Sequence, residues 1–198
     1  MVFLKYSFLF IWVVSVSAVV GVMHSWHYVN LSPSEPTALS IENYSSNIKS
    51  YGVVHFLTPA CSCSKNIFNH LMSRAPYDPQ EIKETVVLFD DHQDSMSSKL
   101  QNKGYEVLSL LSSTINKQDK GSVRGVPLLV IYNKNKVTKY VGGYSEQAIT
   151  PFTDINVAGY IAELEKGRTI SSKPVIGCAV SKEYKKLLDP FGLKYREI

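Results

Sequence analysis

The sequence predicts an α/β fold, a mixed sheet flanked by helices, preceded by an N-terminal apolar helix of membrane-spanning length. Three observations lead there. Short apolar runs of strand length alternate with segments of helical spacing between residues 53 and 166. An uncharged apolar run occupies residues 6–23. The composition, 44% hydrophobic, 11% aromatic and 19% charged over 198 residues, excludes both a disordered chain and a multi-span membrane protein. That length suits one ordinary domain with an appendage.

The elements follow in order. Tyr6 to Met23 carries no charge, and about 20 residues of 1.5 Å rise cross a bilayer. Lys5 precedes the run, and Trp26 and Tyr28 follow it like an interfacial belt. The rival reading is a cleavable signal peptide, but Val16-Ser17-Ala18, a poor small-x-small site, lies in the middle of the run. Residues 1–26 are therefore expected to be a transmembrane anchor or uncleaved signal. The body is expected on the periplasmic or extracytoplasmic side of the inner (cell) membrane. Residues 27–48, with Pro33, Pro36 and several serines, read as a linker.

From residue 49 the α/β pattern begins. Val53–Leu57 is a buried strand, and Ser64–Arg74 is a helix with Ile67, Leu71 and Met72 at helical spacing, closed before Pro76. Thr85–Phe89 is a second strand. Ser95–Lys103 is a helix stopped by Gly104, and residues 106–113 fit either state. Leu128–Tyr132 and Val137–Val141 are strands joined by the turn Asn133–Lys136, and Gly142-Gly143 ends the second. Asp154–Lys166 is a helix with Val157, Ile161 and Leu164 on one face and Gly167 as its C-cap. Residues 49–167 are the expected domain, and 168–198 a basic C-terminal extension. The net charge of +4 sits there: residues 165–198 hold 8 Lys/Arg against 4 Asp/Glu, whereas residues 31–164 hold 12 against 13. A neutral body argues against a nucleic-acid protein. Asp90–Asp94 reads as a solvated loop and helix cap, and the tail from Lys182 as a solvated amphipathic helix.

Three cysteines are too few for a disulfide scaffold, and their number is odd. Cys61 and Cys63 stand directly after a buried strand, at the start of a helix. The free N–H groups and positive dipole end found there stabilise a thiolate. A second thiol nearby can resolve a mixed disulfide.

These residues carry a resemblance. Val54–Cys61 resembles the strand and loop leading into the redox centre of thioredoxin-like proteins. Gly125-Val126-Pro127 before Leu128–Tyr132 is similar to that family's cis-proline loop. Asn135–Val137 with Val141–Ser145 resembles its final hairpin, and Asp154–Gly167 its closing helix. The match covers about residues 49–167. The chain looks closest to uncharacterised, membrane-anchored bacterial thioredoxin-like proteins with a Cys-x-Cys centre. The resemblance implies that Cys61 is an exposed nucleophile and Cys63 a more buried resolving thiol. It implies a cis Val126–Pro127 facing the dithiol, with the backbone before Pro127 left open to an extended substrate strand. His55 takes the place of a buried acid beneath the cysteines and is expected to move protons, the alternative being a core histidine. The implied partners are protein thiols or disulfides. No organic cofactor is implied, since no nucleotide-binding glycine pattern appears.

One departure matters. The family pattern is Cys-x-x-Cys, and here the spacing is one residue shorter. A disulfide between cysteines two apart is strained, which predicts a centre on the oxidising or isomerising side. Cys178 stands beyond the closing helix and reads as a third redox thiol, a buried inert thiol, or a link to another protein. Val180 occupies the position where relatives place a second cysteine. Two other functions stay open: soft-metal (copper) binding by Cys61, Cys63 and a histidine, and a non-catalytic adaptor. His70, two helical turns from Cys63, is a poor third ligand.

Overall fold

The computed structural model describes residues 2–27, 29–31, 50–92, 95–112, 123–189, 192 and 195. The expected linker residues 32–48, together with Gln93 and Asp94 of the acidic loop, lie outside them.

The chain opens with helix α1 (Val2–His27). Side-chain placement within it is described for Tyr6–Gly21, and all of these residues are exposed, Phe8 at 74% and Trp12 at 57%. Among the described residues no helix is long and apolar enough to cross a membrane. A short strand β1 (Val29–Leu31) follows.

The core is a five-stranded sheet. Strand β2 (Tyr51–Leu57) lies at its centre, parallel to β3 (Ile82–Phe89), which in turn runs parallel to β4 (Glu106–Leu110). On the other side β6 (Leu128–Asn133) pairs antiparallel with β2, and β7 (Thr138–Gly142) antiparallel with β6. Residues 106–110, which the sequence left open, become an outer strand because β3 offers them a parallel ladder from Thr85 to Phe89.

Alternation along β2 divides two cores. Val53 and Leu57 face one side with Ile67 and Leu71 of helix α2 (Ser62–Ser73), Leu100 of α3 (Ser97–Lys103), and Ile161 and Leu164 of α4 (Val157–Glu165). Val54 and Phe56 face the other with Val87, Phe89, Leu128 and Val130. Burial of this kind stabilises by about 1.5–3 kcal/mol per large aliphatic side chain. The helix ends follow local chemistry. Asp91 accepts from the backbone N–H groups of Met96 and Ser97 at 3.1 and 2.8 Å, so part of the acidic loop does cap α3. Asn156 caps α4, and Gly104 and Gly167 take the left-handed conformation after α3 and α4.

The last segment is not an appendage. Strand β8 (Val175–Ala179) lies between β1 and β5 (Gly125–Val126) in a three-stranded antiparallel sheet. Val175 and Val180 are buried in the second core, and Tyr184 and Leu188 of α5 (Lys182–Leu188) pack against it. Packing therefore continues past the boundary expected at residue 167. The expected linker also contributes β1, whose Val29 pairs with Gly177. Pro127, which lacks an N–H, marks the corner between the two sheets: β5 before it pairs with β8, and the ladder to β2 begins at Leu128.

Candidate functional site

Cys61 is placed by the turn that joins β2 to α2. The Thr58 hydroxyl donates to the Phe89 carbonyl at 2.9 Å, and the Cys61 N–H closes the turn onto the Thr58 carbonyl at 3.2 Å. Cys61 is the N-cap residue of α2, with extended backbone, and its carbonyl accepts from Lys65 at 3.0 Å. No acidic residue occupies the first turn of the helix. Its positive end is therefore left to the sulfur.

Cys178 reaches the same place from the far end of the chain. It is the ladder partner of Val126, while Ala179 pairs with Gly125. The Cys61 thiol, when protonated, donates to the Val126 carbonyl at 3.8 Å. Two glycines make the approach sterically allowed. A Cβ on Gly177 would lie 2.0 Å from the Val126 carbonyl oxygen, and one on Gly143 would lie 2.0 Å from the Pro174 oxygen. Cys61, Cys63 and Cys178 thus share one apolar cluster, and none of them is in a disulfide.

Their electrostatics split sharply. A side-chain hydrogen bond from Cys178, followed by one from Cys63, holds the Cys61 thiol far below its ordinary value. These outweigh burial, and the Ser64 amide and hydroxyl add smaller contributions. Cys63 moves upward: it donates to Cys61, is buried, and faces the charge that Cys61 carries. The two thiols are coupled: negative charge is favoured on Cys61 and disfavoured on Cys63.

The expected site is brought together in part. The Val126–Pro127 bond is cis and lies beside Cys61. Two expectations are corrected. The backbone before Pro127 is not open to an incoming strand, because β8 already pairs with it. Cys61 is not the exposed thiol: it is 1% exposed and Cys63 7%, while Cys178 is half-buried. Covering by β8 is the physical reason for both.

His55 belongs to a different centre. Its Nδ1 meets the Tyr144 hydroxyl at 2.7 Å and its Nε2 meets Glu84 Oε1 at 2.9 Å, which leaves no ring nitrogen for a thiol. Glu84 is also paired with Arg74, whose Nη1 donates to Oε2 at 3.1 Å, and it accepts from the Tyr77 N–H at 3.2 Å. Burial disfavours the Glu84 charge, but the hydrogen bond and charge of His55, then those of Arg74, prevail and bring its pKa down to about 2. Glu84, Arg74, Tyr144 and Gly177 carried no signal of their own in the sequence beyond a charge at the head of an apolar strand. Among the described residues no group of three or more His, Cys, Asp or Glu is placed to hold a metal ion.

The strand order β4-β3-β2-β6-β7, two parallel neighbours on one side of β2 and a hairpin on the other, with helices on the sheet and a cis-proline before β6, is now complete. The architecture fits a thioredoxin-like fold. No protein-family model and no curated protein matches the sequence. Among solved structures, an uncharacterised conserved protein of Geobacillus kaustophilus is similar over 68% of this chain and 79% of that one, with TM-score 0.52 and 19% identity. A hypothetical protein of Sinorhizobium meliloti 1021 is similar over 66% and 78%, with TM-score 0.51 and 17% identity. At these identities the likeness shows a shared fold alone. StoA of Bacillus subtilis aligns at TM-score 0.34 and 14% identity, over 61% of this chain and 83% of that one, and adds no argument.

Proposed function

We propose that this protein exchanges thiols and disulfides with cysteine-bearing proteins, using Cys61 as the redox-active thiol with Cys63 beside it, from a position attached to the membrane through residues 6–23. The observation that carries the reading is the placement of Cys61: an N-cap sulfur at the positive end of α2, with two further thiols hydrogen-bonded to it. A thiolate held in this way is ionised at neutral pH and is a good leaving group from a disulfide. Stabilising the reduced form also raises the potential, which agrees with the oxidising character expected of the short cysteine spacing. The membrane part rests on the apolar side chains of α1, exposed all round the helix and without a covering partner among the described residues. The domain would then face an oxidising, extracytoplasmic compartment, where exchange of this kind has substrates.

The test is an exchange assay with a reduced, unfolded protein and oxidised glutathione. The full chain in detergent accelerates disulfide formation, and Cys61→Ser returns the rate to the uncatalysed background with an unchanged circular dichroism spectrum. A Cys61→Ser variant as fast as the parent would remove the reading. Redox titration should give a potential above the ~−270 mV of a reducing thioredoxin.

A further inference from the structure

We propose that the working disulfide of this protein joins Cys61 to Cys178, and that Cys178 is the thiol through which other proteins enter. The inference rests on the thiol–disulfide reading above and names which sulfurs perform it. Three observations carry it.

The first is placement. Cys178 is held in register opposite Val126 by β8, whose other edge is held by β1. The Val126 carbonyl also accepts from the Cys61 thiol, at 3.8 Å. Cys178 therefore stands where the resemblance places the cysteine of an extended substrate, but it belongs to the same chain. The second is chain geometry. Cys61, the N-cap, and Cys63, in the first turn of the same helix, are two residues apart, a spacing that suits the dihedral of a disulfide poorly. Cys61 and Cys178 come from separate elements that face each other. Gly177 exists in the form this requires, since any side chain there would strike the Val126 carbonyl. The third is access. Cys61 and Cys63 are buried, and Cys178 is half-buried, so of the three residues the one on β8 is the least covered.

In the oxidised protein Cys61 and Cys178 share an S–S bond. A substrate thiolate attacks the Cys178 sulfur; the bond to Cys61 breaks, and the electron pair leaves on Cys61, where the Cys63 S–H donates to it. A second substrate thiolate then attacks the substrate sulfur of the mixed disulfide. It releases Cys178, which takes up a proton from water. Two substrate thiols become one disulfide, and Cys61 and Cys178 are left reduced. The disulfide of a partner protein, itself reduced to two thiols, restores the Cys61–Cys178 bond by the reverse steps. Attack at the accessible sulfur with departure of the better leaving group is the favoured course of such exchange.

The experiment uses the full, unmutated chain in detergent. It is reduced, equilibrated with mixtures of reduced and oxidised glutathione, quenched with acid and alkylated, and its disulfide-linked peptides are identified by mass spectrometry. The expected result is a Cys61–Cys178 link, with Cys63 recovered as the alkylated thiol. In the exchange assay with reduced, unfolded protein and oxidised glutathione, Cys178→Ser slows oxidation by about tenfold or more, because Cys61 and Cys63 are the more buried residues. A Cys61–Cys63 link with Cys178 alkylated overturns the inference and leaves the exchange reading standing. Absence of any link at Cys61, together with an inactive parent chain, overturns both.

Discussion

Two buried polar centres lie against the same sheet, and they behave in opposite ways. Around Glu84 every strong group is matched: His55 uses both ring nitrogens, and Glu84 accepts from His55, Arg74 and the Tyr77 backbone. Around Cys61 the sulfurs are coupled, with charge favoured on Cys61 and disfavoured on Cys63. A closed network of this kind fixes structure, because any change of partner leaves a charge uncompensated. An open cluster of thiols can exchange bonds, because each sulfur has an alternative partner of the same chemistry. The contrast teaches that burial and a displaced pKa do not by themselves mark a reactive site. What separates the two centres is whether the partners are interchangeable.

Substitutions at the two centres should therefore fail in different ways. The largest expected effect is that of Cys61→Ser, which abolishes exchange while leaving the thermal midpoint within a few degrees of the parent. Next, Glu84→Gln should cost roughly 3–5 kcal/mol in denaturant unfolding, as expected for a broken buried ion pair, and leave thiol exchange in the surviving folded protein unchanged. If Glu84→Gln instead slowed exchange at full stability, the two centres would be coupled and the division drawn here would be wrong. A smaller effect is expected from acid. The folded Glu84 titrates near 2, below its ordinary value of 4.5, so the folded state binds fewer protons. The stabilisation is complete above about pH 4.5, falls as the pH drops toward about 2, and amounts to a few kcal/mol. Unfolding measured across that window should show the slope in the parent and lose it in Glu84→Gln.

The two regions also differ in how far they could be read from sequence. The apolar runs 53–57, 85–89 and 128–132 announce three strands, which the structure extends to 51–57, 82–89 and 128–133, and Gly104 and Gly167 mark helix ends that the backbone then takes. Cys61 at the start of α2 follows from local order alone. His55 was visible as a polar residue in a buried strand, but its role was not, because its partners Glu84 and Tyr144 lie 29 and 89 residues away. Strand β8 was missed for a similar reason. Val175–Ala179 is short and contains a glycine, and its ladder partners lie some 50 residues upstream in β5 and nearly 150 in β1. Only the folded chain shows that Gly177 lets β8 pass against Val126. As a result the sequence exposes Cys61 and leaves Cys178 as a leftover, whereas the fold buries the first and brings the second beside it.

The claim that Cys61 is a stabilised thiolate can be measured without substrate. The thiolate absorbance of the reduced full chain, less that of Cys61→Ser, should show about one ionised sulfur throughout the range from about pH 5 to pH 7, where an ordinary thiol with pKa near 8.5 is protonated. A difference signal that appears only as the pH rises through about 8 to 9 would contradict it.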